Sequence, residues 1–212
     1  FYIEVAGEED ASEDFKDAFL DVASEAFSNT GTEILPPKGM SEEEQKKLLV
    51  RVKESLEACG FEVFDFVFPH GERSKNGSTY LEIMNFMASV QITRSDVAIA
   101  LGGGVVGDMT GFAAATYLRG IQFVQMPTTL LAAVDSSVGG KTGVNLSAGK
   151  NLAGAFYQPS LVVCDTNTMG TLPEEIFRDG CAEVIKYAVL YDPGLFAKLE
   201  QMILGFSLED VI

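Results

Sequence analysis

Apolar residues recur at helical spacing between residues 41 and 60. Leu48, Leu49, Val52 and Leu56 form one stripe, Ser41 and Glu44 form a capping box ahead of it, and Gly60 closes it. The period then changes. "FEVFDFVF", Phe61 to Phe68, is aromatic and β-branched and stops at Pro69, which predicts a strand. A helix starting at Ser78 or Thr79 follows, with Leu81, Met84 and Ala88 on its buried side. "DVAIAL" reads as a buried strand, Asp108 to Arg119 as a helix, and "IQFVQM" as a strand ended by Pro127. "LVVCD", Leu161 to Asp165, gives one more short strand, and from Pro173 onward the pattern is helical.

Strand and helix alternating in this way predict an α/β fold: a largely parallel sheet with helices on both faces and ligands at the carboxyl ends of the strands. A domain boundary is expected near Thr171. Residues 1–171 would form the α/β domain and residues 172–212 the beginning of an all-α part. Residues 1–40 carry a strand-like "FYIEV", an acidic amphipathic helix to about Phe27 and a turn-rich link through Pro36 and Pro37.

Composition narrows this picture. At 212 residues and 47% hydrophobic content the chain suits one large domain, or one domain plus part of another. Its apolar runs are broken by charge or glycine before the roughly 18 to 20 residues that span a bilayer, so no membrane segment is expected. A net charge of -16 argues against nucleic acid, whose binding needs clustered Lys and Arg. Fifteen of the 31 acidic residues lie in the first 57 positions and read as a solvated acidic face. Cys59, Cys164 and Cys181 are odd in number and irregularly spaced, which predicts reduced core thiols and no disulfide framework. The chain opens on Phe1 and closes on "LEDVI", with no secretory signal visible, and is expected to be a piece of a longer protein.

The candidate chemistry begins at Gly102-Gly103-Gly104-x-x-Gly107-Asp108, between a strand and a helix. There backbone N–H groups and a helix amino terminus can face an anion. By itself this loop fits a packing turn as well as a nucleotide site, and it departs from the ordinary G-x-G-x-x-G fingerprint. Eleven of the 21 glycines fall between residues 100 and 154, alongside Thr128, Thr129, Asp135, Lys141, Lys150 and Asn151. Two lysines inside glycine motifs of an acidic protein favour a phosphorylated ligand. In "GCAEVIKYA", Glu183 and Lys186 share a helix face whose apolar neighbours Ala182, Val184, Ile185 and Ala188 predict burial. That pair is either a surface ion pair or a carboxylate aimed at the glycine cleft as metal ligand or base.

"ALGGGVVGDMTGFAAATYLRG", "QMPTTLLAAVDSSVGGKTGVN", "GKNLAGAFYQP", "TLP" and "CAEVIKYAVL", in this order and at this spacing, resemble the 3-dehydroquinate synthase family of sugar phosphate cyclases. The resemblance runs from about Phe61 to Leu204 and includes "PHGERSK". It implies an amino-terminal α/β domain that holds NAD and a helical carboxyl-terminal domain that completes a site for a divalent metal, zinc or cobalt. The implied reaction converts 3-deoxy-D-arabino-heptulosonate 7-phosphate to 3-dehydroquinate and phosphate, with NAD reduced and reoxidised in each turnover. By matching position, His70, Gly71, Glu72, Arg73, Ser74 and Lys75 would contact the nucleotide. Gly104, Val105, Val106, Gly107 and Asp108 would cradle its pyrophosphate and hold a ribose. Thr128 and Thr129 would contact NAD as well, together with Thr168, Met169, Gly170 and Thr171. The resemblance further places Asp135, Lys141, Lys150, Asn151 and Lys186 around substrate and nicotinamide, and makes Glu183 a metal ligand. Arg119 would reach the site of a neighbouring subunit, which implies a homodimer for the full-length protein. The implied compartment is the cytoplasm, or the plastid in a plant or alga.

One departure follows from composition. The family takes two further metal ligands, both histidines, from its helical domain, and this chain has one His in total, His70. The expectation is therefore a truncated synthase whose nucleotide site is nearly complete and whose metal site is not. Three other readings remain open: a different sugar phosphate cyclase, an iron-dependent alcohol dehydrogenase relative, and a non-catalytic NAD-binding remnant.

Overall fold

The computed structural model describes residues 2–6 and 42–205. Ser41, the expected acidic helix up to Phe27 and the link through Pro36 and Pro37 lie outside those residues. Five strands build the main sheet: β1 (Tyr2–Ala6), β2 (Glu62–Phe66), β3 (Val97–Gly102), β4 (Gln122–Pro127) and β7 (Leu161–Val162), in the spatial order β2-β1-β3-β4-β7. β3, β4 and β7 pair in parallel, whereas β1 runs antiparallel to both β2 and β3. Four of the five strands therefore point the same way, and the largely parallel expectation stands with one reversed strand inserted between β2 and β3.

Helices cover both faces. α1 (Glu42–Ala58) places Leu48, Leu49, Val52 and Leu56 against Val97, Ile99 and Leu101 of β3 and Val124 and Met126 of β4. Gly60, at φ +89°, turns the chain beyond it, and the Phe61 N–H returns to the Leu56 carbonyl at 3.2 Å. α2 (Gly77–Ser89) and α3 (Gly104–Thr116) pack on the opposite face around Ala98 and Phe123. Alternate residues of β3 thus serve two cores, which is why "VAIAL" is apolar throughout and not alternating.

Three expectations need correction here. α2 buries Thr79, Ile83 and Met87 and leaves Met84 half-buried against the same core, but Leu81 and Ala88 are exposed, because the sheet lies on the other side of the helix. It also begins at Gly77, since the Asn76 side chain accepts from the N–H groups of Ser78 and Thr79. α3 begins at Gly104, not Asp108, and ends at Thr116 before a 3-10 turn over Tyr117–Arg119. Replacing Asn76 with alanine should cost about 1 kcal/mol in urea unfolding, the usual value of an amino-terminal cap.

The sequence pattern also missed an antiparallel hairpin, β5 (Lys141–Leu146) and β6 (Gly149–Phe156), separate from the main sheet. It lies against α3: a Cβ on Gly111 would collide with the Thr142 methyl and stand 3.0 Å from the Phe123 ring. Tyr157, just beyond β6, donates its hydroxyl proton to the Ile121 carbonyl at 2.8 Å and stacks on Phe123. α4 (Glu174–Tyr191) and α5 (Pro193–Gly205) follow the sheet. Of the apolar residues expected to bury α4, Ala188 is buried, while Ala182 and Ile185 are exposed, as are Val189, Leu190 and Tyr191. The three cysteines are free but not in the core: Cys59 and Cys164 are exposed and Cys181 is half-buried.

Candidate nucleotide and substrate site

β3 delivers the chain to the glycine loop and α3 carries it away, so the first helical turn is Gly104, Val105, Val106 and Gly107. The missing side chains serve packing as much as ligand access. A Cβ on Gly104 would stand 2.8 Å from Ser136 Oγ, and one on Gly107 would stand 2.8 Å from the Gln125 amide oxygen. Thr129 presses on Gly103 in the same way, with 3.3 Å left for a Cβ. The Thr128 N–H donates to the Gly102 carbonyl at 2.9 Å, locking the end of β4 beside the end of β3. Glycine here lets two neighbouring segments close around the helix start.

Asp108 meets Lys75 in the second turn of α3. The Lys75 ammonium, with only 5% of its side chain exposed, donates both to the Asp108 carboxylate and to the Asn151 side-chain oxygen. Burial raises the Asp108 pKa above the ordinary carboxylate value; Lys75 opposes that shift, and the charges of Glu72 and Asp135 add to it. Asn151 reaches this position at φ +56°, in the left-handed region, with its N–H donating to the Asn145 side-chain oxygen at 2.8 Å. Asn145 in turn donates its side-chain N–H to Glu72 at 2.8 Å and its backbone N–H to the Lys75 carbonyl at 3.0 Å. Lys150, largely exposed, stands 3.8 Å from Glu72.

A second group gathers around the turn Ala132–Ser136, which presents Asp135. The Tyr187 hydroxyl donates to Asp135 at 3.4 Å, and the Lys186 ammonium sits 4.9 Å from the Tyr187 ring centre. Lys186 pairs with Glu183 on the same helix. That contact raises the Lys186 pKa above the usual lysine value, with Tyr187 and Asp135 contributing. The Glu183 oxygen that faces Lys186 is shielded from solvent. Among the described residues, no three His, Cys, Asp or Glu side chains come together in a way that could hold a metal ion.

The other expected contacts divide. Ser74 is buried and donates to the Pro69 carbonyl at 2.5 Å, while His70, Gly71 and Arg73 are exposed beside it. The hydroxyls of Thr168 and Thr171 bond to the Asp165 and Thr168 carbonyls within their own turn, which also holds Met169 and Gly170. Lys141 is exposed at the start of β5 and belongs to neither cluster. Arg119 lies beyond the far end of α3, about 20 Å from the glycine loop by helical rise, so it does not join these groups within one chain. Leu118 and Arg119 both adopt left-handed backbone angles, and Arg94 donates to the Leu118 carbonyl at 3.2 Å. Asn145 and Tyr187 were not singled out from sequence. The only signal for Asn145 was a polar residue closing "GGKTGVN".

Residues 65–179, more than half of the chain, match the family described as 3-dehydroquinate synthase N-terminal. The chain belongs to the 3-dehydroquinate synthase family. A relative named 3-dehydroquinate synthase from Synechococcus sp. (strain CC9605) is 60% identical over 146 residues, which make up 69% of this chain and 39% of the relative. The chain thus spans about two fifths of the length of the synthase that it matches. Among solved structures, 2-epi-5-epi-valiolone synthase from Streptomyces hygroscopicus subsp. jinggangensis 5008, with NAD+ and Zn2+ bound, superposes with a TM-score of 0.67 at 31% identity, covering 74% of this chain and 44% of that one. A 2-deoxy-scyllo-inosose synthase complexed with carbaglucose-6-phosphate, NAD+ and Co2+ superposes with a TM-score of 0.62 at 31% identity, covering 66% and 39%. The α/β fold is therefore one shared with sugar phosphate cyclases. The synthase family relationship rests on the stretch that contains the glycine loop, the hairpin and the start of α4.

Proposed function

We propose that this chain is the nucleotide-binding portion of a 3-dehydroquinate synthase, acting on 3-deoxy-D-arabino-heptulosonate 7-phosphate. The observation that carries this reading is the meeting of Lys75, Asp108 and Asn151, from three separate family motifs, in one polar cluster. Residues 1–171 form the NAD-binding domain and residues 172–212 begin a helical, metal-binding part. The exposed apolar residues of α4 fit a helix that continues into further helical packing.

When bound, NAD supplies reversible hydride acceptance. In this chain His70 to Lys75, the first turn of α3, Thr128, Thr129 and Thr168 to Thr171 would hold it, and Asp108 would take a ribose hydroxyl as acceptor. The start of α3 would offer a pyrophosphate the backbone N–H groups of Gly104 and Val105. Lys141, Lys150 and Asn151 would position the phosphorylated substrate, with Asp135 and Lys186 near the reacting carbons. Glu183 is the one residue offered for a metal, and the described residues alone do not form a metal site. Arg119 would serve the site of a second copy, its distance from this chain's own loop being the structural support for a homodimer. No helix among the described residues is long and apolar enough to cross a membrane, and the reading places the protein in the cytoplasm, or in the plastid of a plant or alga.

Calorimetry with NAD, run beside a phosphate-release assay on the heptulosonate phosphate, tests this. The expected result is saturable NAD binding at one site per chain with no turnover by this chain alone. Absence of NAD binding would sink the reading. Net NADH production from a simple alcohol would favour the dehydrogenase alternative, and phosphate release from a different sugar phosphate would favour another cyclase.

A further inference from the structure

We propose that Asn145 is the positioning residue that joins the nucleotide-contacting and substrate-contacting halves of the candidate site. The inference rests on the functional reading above. One half is the segment Glu72–Lys75, before α2; the other is the pair Lys150 and Asn151, at the start of β6. Asn145 bonds to both. Its side-chain N–H donates to the Glu72 carboxylate at 2.8 Å, its side-chain oxygen accepts the Asn151 N–H at 2.8 Å, and its backbone N–H donates to the Lys75 carbonyl at 3.0 Å. A backbone bridge to Asn76 completes the contact.

The hairpin itself sets this up. Pairing between β5 and β6 is regular as far as Val144–Ala153 and then shifts register before Leu146–Gly149, so Asn145 falls in the irregular stretch. Such a bulge frees a strand residue from the ladder and re-aims its side chain. Asn is among the few side-chain-bearing residues that tolerate a backbone at φ +56°, and the bond to Asn145 holds Asn151 there. Asn151 then meets the Lys75 ammonium, which also holds Asp108. Position 145 needs a donor towards a carboxylate and an acceptor towards an N–H at the same time, which the amide of Asn supplies. Aspartate offers no donor when ionised and leucine offers neither.

The charged groups around position 145 are Glu72, Lys75 and Lys150, with Asp108 behind Lys75. Asn145→Asp puts a second carboxylate against Glu72. Its NAD dissociation constant at pH 7 should rise about tenfold or more, and should move back towards the wild-type value near pH 5, where the two carboxyls can share a proton. Combining it with Glu72→Gln should recover affinity relative to Asn145→Asp alone, since the introduced glutamine amide can donate to the introduced carboxylate. Amide hydrogen exchange in the ligand-free protein gives a separate readout. Asn145→Leu should speed exchange of the Asn151 amide about tenfold or more while leaving Phe123, in the core, protected as before.

If wild-type chain fails to bind NAD, the functional reading falls while exchange at Asn151 still decides the positioning role. Unchanged Asn151 exchange in Asn145→Leu overturns the proposal. So does an Asn145→Asp protein whose NAD affinity is lost equally at both pH values and is not recovered by Glu72→Gln.

Discussion

Replacing Lys75 with methionine is expected to destabilise the protein by about 2 to 4 kcal/mol at pH 7, because it leaves a largely shielded carboxylate without its cation. The Lys75 side chain is 5% exposed and that of Asp108 19%, so water replaces little of the lost partner. Methionine keeps most of the aliphatic stem, which confines the change to charge and hydrogen bonds. The effect should depend on pH in a definite direction. Burial already raises the Asp108 pKa, so its ionisation in the folded state opposes stability, and that opposition grows as pH rises from the ordinary carboxylate value through the raised one. Losing Lys75 removes the influence that lowers this pKa and moves the window further up. The gap in unfolding free energy between wild type and Lys75→Met should therefore be larger at pH 7 than at pH 5, as measured by urea unfolding at both. An equal gap at the two pH values would show that the pair does not carry the charge balance of the site. NAD affinity should fall with the same substitution, since Asp108 and Asn151 lose their common anchor.

The second large effect is expected at Gly154. It pairs with Gly143 across the hairpin, and a Cβ there would overlap the Thr142 carbonyl oxygen and stand 2.8 Å from Gly143 Cα. Both neighbours are backbone, so neither can rotate away. Gly154→Ala should cost about 3 kcal/mol, at the upper end for overpacking, by forcing β6 off β5. Gly77→Ala provides the control. Gly77 opens α2 with nothing within 4 Å of an added Cβ, and the substitution should stabilise by about 0.5 kcal/mol through reduced freedom in the unfolded chain. Matching losses at the two positions would mean that the closeness of the strands is not what makes Gly154→Ala costly.

Periodicity was informative where one element faces one core. The Leu48, Leu49, Val52 and Leu56 stripe has a single consistent phase, and all four are buried. In α2 two phases compete, since Leu81, Met84 and Ala88 have helical spacing just as Thr79, Ile83 and Met87 do. Only the position of the sheet chooses between them. The hairpin was hidden for a different reason. Glycine occupies both sides of a cross-strand pair, and Leu152 and Phe156 point to solvent, so the alternation that marks a half-buried strand is absent. Asp108 was expected at a helix start because acidic residues favour that place; the glycines before it turned out to be the first helical turn.

The site was legible as motifs and not as contacts. Glycine loop, "GGKTGVN", "GKN" and "AEVIK" identify the family by their residues and spacing, a comparison that needs no coordinates. Lys75, however, meets Asp108 across 33 residues and Asn151 across 76. Nothing local in the chain specifies those encounters. They arise because β3 and β4 end side by side, α3 leads away from that edge, and the hairpin packs on α3 through Gly111. The sequence by itself determined the kinds of the main-sheet strands and the helices, the acidic character and the family, but not the hairpin. The tertiary structure alone decided which faces were buried, where Asn145 stands, and that Arg119 is remote from the loop. Element type follows from spacing over a few residues, whereas convergence depends on how separate elements share one core and which polar groups that packing leaves to satisfy each other.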